Sequence, residues 1–333
     1  MEKSFVEKCL HSIEVNGRHI EYAVSGEETG EPVLLFYPLG ASRSIVAVFH
    51  GPATRVGVRL ICINRPGMGQ ASPTHVGSHI EVHCQDVVSC LDHLGIHRVR
   101  LLFLCAGAPF ALGFQARYPH RSHGRLVGCS SWVSPSDCPS AKFMYQVGAG
   151  LPSSLLASLA DAMVGWTRSM PSSSSGYSNW AFTSFLPSSS MRLSQPAEVK
   201  VVPVLEQKAC ADSQAEVDIL MERCASLLME QETGGEGPDA ATLVESAKAW
   251  GVDYRRLGCS MVLLHGDADV TVPVDCVEWL QEQIPKTVLH RIPDAEHGEA
   301  MLLSISVALR LLIPSCRSCA EASDVCPLEV MSL

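Results

Sequence analysis

Apolar residues recur along this chain in two alternating rhythms. Residues 33–37, 59–63, 99–104 and 126–130 form short, nearly continuous apolar runs, the pattern of parallel strands covered on both faces. Between them lie helix-length segments at 42–55, 77–94 and 106–118. The second carries Ile80, Val87, Val88, Leu91 and Leu94 at helical spacing, with Gly95 standing where a stop is expected. Upstream, strands at 12–15 and 18–24 flank Asn16-Gly17, a strong hairpin signal. Strand–helix alternation of this kind predicts right-handed crossovers and a mostly parallel, doubly wound sheet.

The alternation breaks after Trp132. Residues 134–245 shift to Ser, Pro, Met and Ala, with "PSSSSG" at 171–176. Helical stretches recur at 152–170, 197–208 and 213–231, followed by "TGGEGPDA", read as a loop. The alternation then resumes with a strand at 260–265, a helix at 274–283, a strand at 287–292 and a helix at 298–312. The expected organisation is an α/β core in two parts, 1–133 and 246–313, with a helical lid inserted at 134–245 and a loosely attached tail at 314–333.

Composition narrows the function. A chain of 333 residues, 47% hydrophobic, is long enough for a large core. The net charge of −10, with no Lys/Arg stripe, argues against a nucleic-acid partner. No apolar run approaches the ~18 residues of a membrane span, and the charged N-terminus is unlike a secretory signal, so a cytoplasmic location away from membranes is expected. The fourteen cysteines are irregularly spaced and read as reduced thiols. Cys316-x-x-Cys319 lacks a second ligand pair nearby. His75, His79 and His83 fall at i, i+4 and i+8 beside Cys84, and read as a solvated helix face rather than a metal set.

Candidate chemistry centres on "LLFLCAGAPFAL", residues 101–112. A strand that turns sharply into a helix can present a nucleophile at the bend, provided the residues two before and two after it are small. Gly107 meets that condition and Phe103 violates it; the nucleophile position holds Cys105. "LVGCSSW" is a poorer bend, because Trp132 stands where a small residue is needed after Ser130. On this architecture a hydrolytic triad runs nucleophile, acid, histidine, each at a strand exit. "MVLLHGDADVTVP" supplies Asp267 and Asp269 at one such exit, and "VLHRIPDAEHGEAML" supplies His297 at the next.

With "FYPLGASR", "ICINRPGMGQAS", "HGDADVTVP" and "DAEHGE", the chain resembles the α/β-hydrolase family over nearly its whole length. Asn64 stands where that family usually has Asp. Within it, the chain resembles fungal enzymes with a cysteine nucleophile that release or lactonise polyketide chains. The resemblance implies Cys105 as nucleophile, His297 as base and Asp269 as the acid that fixes the imidazole, with Asp267 as the rival. Asp294 and Glu296 are expected to face water. The oxyanion hole would take the backbone N–H groups of Ala106 and Leu39, with Gly40 behind, since Pro38 has none. Tyr37 and Trp132 could bind substrate or merely pack, as could Trp166 and Trp180; Arg65-Pro66-Gly67 reads as a structural turn. The expected reaction is acyl transfer from a thioester or ester, free or on a carrier protein, ending in lactonisation or hydrolysis without a cofactor or metal. A simple esterase, thioesterase or lactonase is the alternative, and a non-catalytic binding protein of the same fold is another.

Overall fold

The computed structural model describes residues 3–169, 232 and 234–313. A helix, α1 (Lys3–Cys9), precedes the hairpin β1 (Leu10–Val15) and β2 (Arg18–Gly26). Its turn is Asn16-Gly17, both at positive φ, 52° and 75°, as a two-residue hairpin requires. There follow β3 (Glu31–Phe36), α2 (His50–Arg55), β4 (Val58–Ile63), α3 (His79–His93), β5 (Val99–Leu104), α4 (Ala108–Arg117) and β6 (Ser122–Cys129). Then come α5 (Phe143–Ala149), α6 (Ser153–Ser169), α7 (Glu236–Val244), β7 (Met261–Gly266), α8 (Val274–Gln283), β8 (Thr287–Ile292) and α9 (His297–Leu312).

The strands form one eight-stranded sheet in the order β1-β2-β4-β3-β5-β6-β7-β8. Only β1–β2 and β2–β4 pair antiparallel. The alternation of side chains along each strand sorts the core into two layers. Leu34, Phe36, Leu101, Phe103, Met261 and Leu263 pack with α3, α4 and α8 on one face. Val33, Leu35, Leu102, Leu104, Val262 and Leu264 pack with α9 on the other. Coverage on both faces explains why these strands read as continuous apolar runs.

Four local expectations need correction. Residues 42–55 do not make one helix: a 3₁₀ turn at Arg43–Ala47, capped by the Ser42 hydroxyl, precedes α2. The loop expected over "TGGEGPDA" gives way to α7 at Glu236, entered through Gly234 and Gly235 at φ 113° and 74°. The histidine face is not solvated as a whole. His75 is exposed, but His79 and His83 are 1% and 2% exposed. Arg65 also does more than turn the chain. Its guanidinium lies 4.1 Å over the Tyr37 ring and 4.4 Å over Phe110, and it forms an ion pair with Asp239 of α7. His79 Nε2 binds the other Asp239 oxygen at 2.7 Å. Burial pushes the Asp239 carboxyl up, yet Arg65 and His79 hold it below the usual carboxylate range. Burial, Arg65 and His79 push His83 down to about 3, so it stays neutral in this cluster. The partner that draws His79 inward lies about 160 residues further along the chain, out of reach of any periodicity argument, and His83 packs edge-on to Phe36 and Phe110.

The helices expected at 197–208 and 213–231, the side chains of Trp166 and Trp180, and the tail with Cys316 and Cys319 lie outside the described residues.

Because Arg65 is almost fully buried, removing its counter-charge strands a cation in the core. Asp239→Ala should therefore destabilise the fold by about 3–5 kcal/mol, read from urea denaturation, whereas His75→Ala should leave the midpoint nearly unchanged.

Candidate active site

The site forms where β5, β7 and β8 end. Residue 105 follows β5 at φ 44°, the left-handed region an L-residue enters at a cost. The chain then passes through a 3₁₀ turn, Cys105–Gly107, into α4. Gly107 is required here: a Cβ would lie 2.2 Å from the Phe36 carbonyl oxygen. Phe103, the residue that departs from the small-residue rule, is accommodated across the sheet. It pairs with Gly128 of β6, and a Cβ at Gly128 would lie 2.2 Å from the Phe103 ring. The bend has moved its glycine to the neighbouring strand.

The acid and the histidine arrive from the next two strand exits. His297 Nδ1 meets Asp269 Oδ2 at 2.5 Å. Asp269 Oδ1 accepts the backbone N–H groups of Thr271 and Val272 at 2.8 and 2.9 Å. Asp267 has a different task, accepting the Asp294 N–H at 2.6 Å and so tying the acid loop to the histidine loop. Asp294 is exposed and Glu296 half-buried. His265 Nε2 donates to the Val272 carbonyl at 2.8 Å and lies 3.2 Å from Asp269 Oδ2. Ser130, at φ 48°, donates its hydroxyl to the His297 carbonyl at 2.8 Å, anchoring the histidine loop.

Cys105, His297 and Asp269 are 3%, 2% and 4% exposed. Burial alone would lower the His297 pKa. The nearby Cys105 and the Asp269 carboxylate bonded to the ring outweigh it and raise the pKa to about 10. Asp269 in turn is pushed up by burial but held below the usual carboxylate range by His297. Among the described residues Nε2 has no hydrogen-bond partner, and Cys105 is the neighbour that raises the ring's pKa most. The arrangement can therefore keep a proton on the imidazole beside the Cys105 side chain.

The remaining expected residues divide. Ala106 follows the bend, fully buried at the head of a helical turn. Leu39 lies in a turn closed by Ala41 N–H to Pro38 O at 3.4 Å, with Gly40 at φ 75°; that bond does not engage the Leu39 N–H. Tyr37 does not line the site. Its hydroxyl accepts the Arg65 N–H at 2.8 Å, and its ring packs against the guanidinium. Trp132 caps the site from the side, its own N–H donating to the Cys105 carbonyl at 3.1 Å and its indole N–H to Leu243 O at 2.8 Å. One further residue escaped sequence reasoning. Tyr145 of α5 stacks edge-on to Trp132 at 5.0 Å, and burial, Cys105 and Asp269 together raise its phenol to about 12. It carries no motif, and nothing in its surroundings signals a role.

Among the described residues no cluster of three His, Cys, Asp or Glu could hold a metal ion, and no helix is long and apolar enough to cross a membrane.

No family model matches the chain. An uncharacterised hydrolase of Bacillus subtilis is 27% identical over 135 residues, 40% of this chain, and the match spans only 46% of that protein. Solved structures overlap far more of it. A hydrolase from Pseudomonas aeruginosa superposes with a TM-score of 0.57 at 16% identity, covering 91% of this chain and 98% of its own. An enol-lactonase from Burkholderia xenovorans gives 0.51 at 18% identity, covering 90% and 95%. Est816, described as an N-acyl homoserine lactone degrading enzyme, gives 0.54 at 20% identity, covering 91% and 100%.

Two outcomes are expected. The His297 ring should titrate near pH 10 in NMR, and removing the thiol in Cys105→Ala should lower that pKa. Since the folded value exceeds the unfolded value near 6.5, the stability it contributes is complete below about pH 6.5 and lost as pH rises through about 10. Gly128→Ala should cost about 1–3 kcal/mol by overpacking against Phe103, and the penalty should shrink in a Phe103→Ala background, as a double-mutant cycle would show. With sheet order, strand exits and superposition in agreement, the chain has the α/β-hydrolase fold.

Proposed function

We propose that this protein is a cysteine-dependent acyl-transfer enzyme of the α/β-hydrolase type, acting on a thioester or ester. The observation that carries this reading is the succession of Asp269, His297 and Cys105, with His297 bonded to the carboxylate through Nδ1 and Cys105 near enough to raise the ring's pKa. The sulfur, its proton held on His297, attacks the acyl carbonyl. The oxyanion that forms accepts hydrogen bonds from the Ala106 and Leu39 N–H groups. As it collapses, His297 gives its proton to the departing thiolate or alkoxide, leaving an acyl-thioenzyme and a neutral imidazole. The imidazole then takes a proton from the second acceptor, which attacks the acyl carbon and expels the Cys105 sulfur.

Transfer between thiols is nearly isoenergetic, and a thioester is more electrophilic than an oxygen ester, which suits sulfur to this role. The second acceptor decides the product. All three side chains are withdrawn from solvent. An internal hydroxyl held in near-attack geometry there gains a large effective molarity over water. We therefore favour release of a hydroxyacyl chain as a lactone, in keeping with a polyketide-type substrate, over hydrolysis to a free acid. Two solved structures of similar fold are named for lactone chemistry, a lactonase and a lactone-degrading enzyme, which is in keeping with a protein of this fold handling cyclic esters.

Intact-mass analysis after incubation with hydroxyacyl thioesters should show an acyl adduct on Cys105, absent in Cys105→Ala, and a cyclic product. His297→Ala should slow adduct formation by about 10²–10⁴-fold. An adduct on another residue, or unchanged turnover in Cys105→Ala, would overturn the assignment; a linear acid as sole product would overturn lactonisation and leave hydrolysis.

A further inference from the structure

A second histidine stands behind the acid. His265 is the penultimate residue of β7, fully buried, with its backbone fixed by pairing to Arg291 of β8. Its Nε2 lies 2.8 Å from the Val272 carbonyl oxygen and 3.2 Å from Asp269 Oδ2. Both neighbours are acceptors, so the hydrogen of the ring belongs on Nε2. Nδ1 is buried and has no hydrogen-bond partner among the described residues. An imidazolium would carry a second N–H there with nothing to receive it. Burial also pushes the ring's pKa down, against the pull of Asp269. The side chain is therefore a neutral donor.

That donor acts on one residue of the acid loop. Val272 is held through both of its own backbone groups: its N–H reaches Asp269 Oδ1 at 2.9 Å, and its carbonyl accepts from His265. Another tie between this loop and the strand end, Asp269 N–H to the Gly266 carbonyl, is long at 3.4 Å. His265 thus fastens to β7 the segment whose N–H groups fix Oδ1. With Oδ1 fixed, Oδ2 stays turned toward His297 Nδ1, 2.5 Å away. The His265 N–H dipole beside Oδ2 also favours the negative charge there.

We propose that His265 is a positioning residue for the Asp269–His297 pair: as a neutral Nε2–H imidazole it locks the acid loop onto β7 through Val272 and so keeps Asp269 Oδ2 on the His297 ring. The inference rests on the acyl-transfer reading, which gives this positioning its purpose.

The test combines NMR titration of the full chain with the rate of acyl-adduct formation on Cys105. It uses two variants of nearly equal size: His265→Gln, whose amide N–H can reach the Nε2 position, and His265→Met, which has no donor there. In the wild type the ring nitrogens of His265 should report the Nε2–H tautomer. In His265→Met the His297 pKa should fall from about 10 toward its ordinary value. Adduct formation should slow by about 10²-fold at saturating thioester, with the half-saturating concentration unchanged. His265→Gln should restore both. An Nδ1–H or charged His265 in the wild type, unchanged readouts in His265→Met, or a His265→Gln as impaired as His265→Met would overturn the proposal. If His265→Met does not fold, the wild-type tautomer and His265→Gln decide, and a lowered His297 pKa in His265→Gln overturns it. A wild type that forms no adduct while the titrations behave as expected would overturn the acyl-transfer reading and leave the hold of His265 on Asp269 standing.

Discussion

A strand that must stop and reverse its direction within three residues leaves little freedom to what surrounds it. At the end of β5, residue 105 is held in the left-handed region, and the turn brings residue 107 against the Phe36 carbonyl so closely that only hydrogen fits there. Everything else at this rim is arranged around that bend. Phe103 fills the space beneath it because β6 offers no side chain at Gly128. Trp132 donates to the Cys105 carbonyl from the neighbouring exit. Ser130, itself strained, grips the backbone of His297. The strain is sustained by packing on all sides, and its result is a cysteine held near the His297 imidazole.

Charge burial follows the same economy of partners. Asp269 is satisfied by two backbone N–H groups and one imidazole. Asp239 is satisfied by a guanidinium and another imidazole. Beneath the 3₁₀ turn, Arg43 lies between Glu21 and Glu232, and Asn64 joins them. Asn64 accepts the Arg43 N–H at 2.8 Å and donates to both glutamates, at 3.0 and 2.9 Å. A carboxylate at this position, the usual residue in the family that the sequence resembles, would have no proton for either glutamate and would add a third negative charge. The substitution is explained by its neighbours: an amide can both accept and donate, and here it must do both.

Much of the fold was legible because burial on both faces writes itself into sequence as unbroken apolar runs, and because Asn16-Gly17 admits few conformations. The meeting of Asp269 with His297 was approachable through order along the chain, since each stands at a strand exit. Choosing it over Asp267 needed the resemblance, and the geometry shows why the two differ: one faces the ring and the other the Asp294 backbone. What stayed hidden depends on distant partners. His79 looked solvated because Asp239 is far away in sequence, and Phe103 looked like a defect because Gly128 lies on another strand. Tyr145 has no local pattern at all; only the folded chain brings it near Cys105.

The residues on either side of the long insertion are stitched to each other. Ser134 and Ser136 donate to the carbonyls of Glu245 and Val244, at 2.8 and 2.6 Å, and the Trp132 indole bonds to Leu243. Departure and return therefore occur side by side, and the returning stretch brings Glu232 and Asp239 back to Arg43 and Arg65. Closing a longer excursion at such a stitched neck costs only about 0.6 kcal/mol for each doubling of its length. Evolution can thus lengthen or shorten the stretch between α6 and Glu232 without touching the bend that holds Cys105.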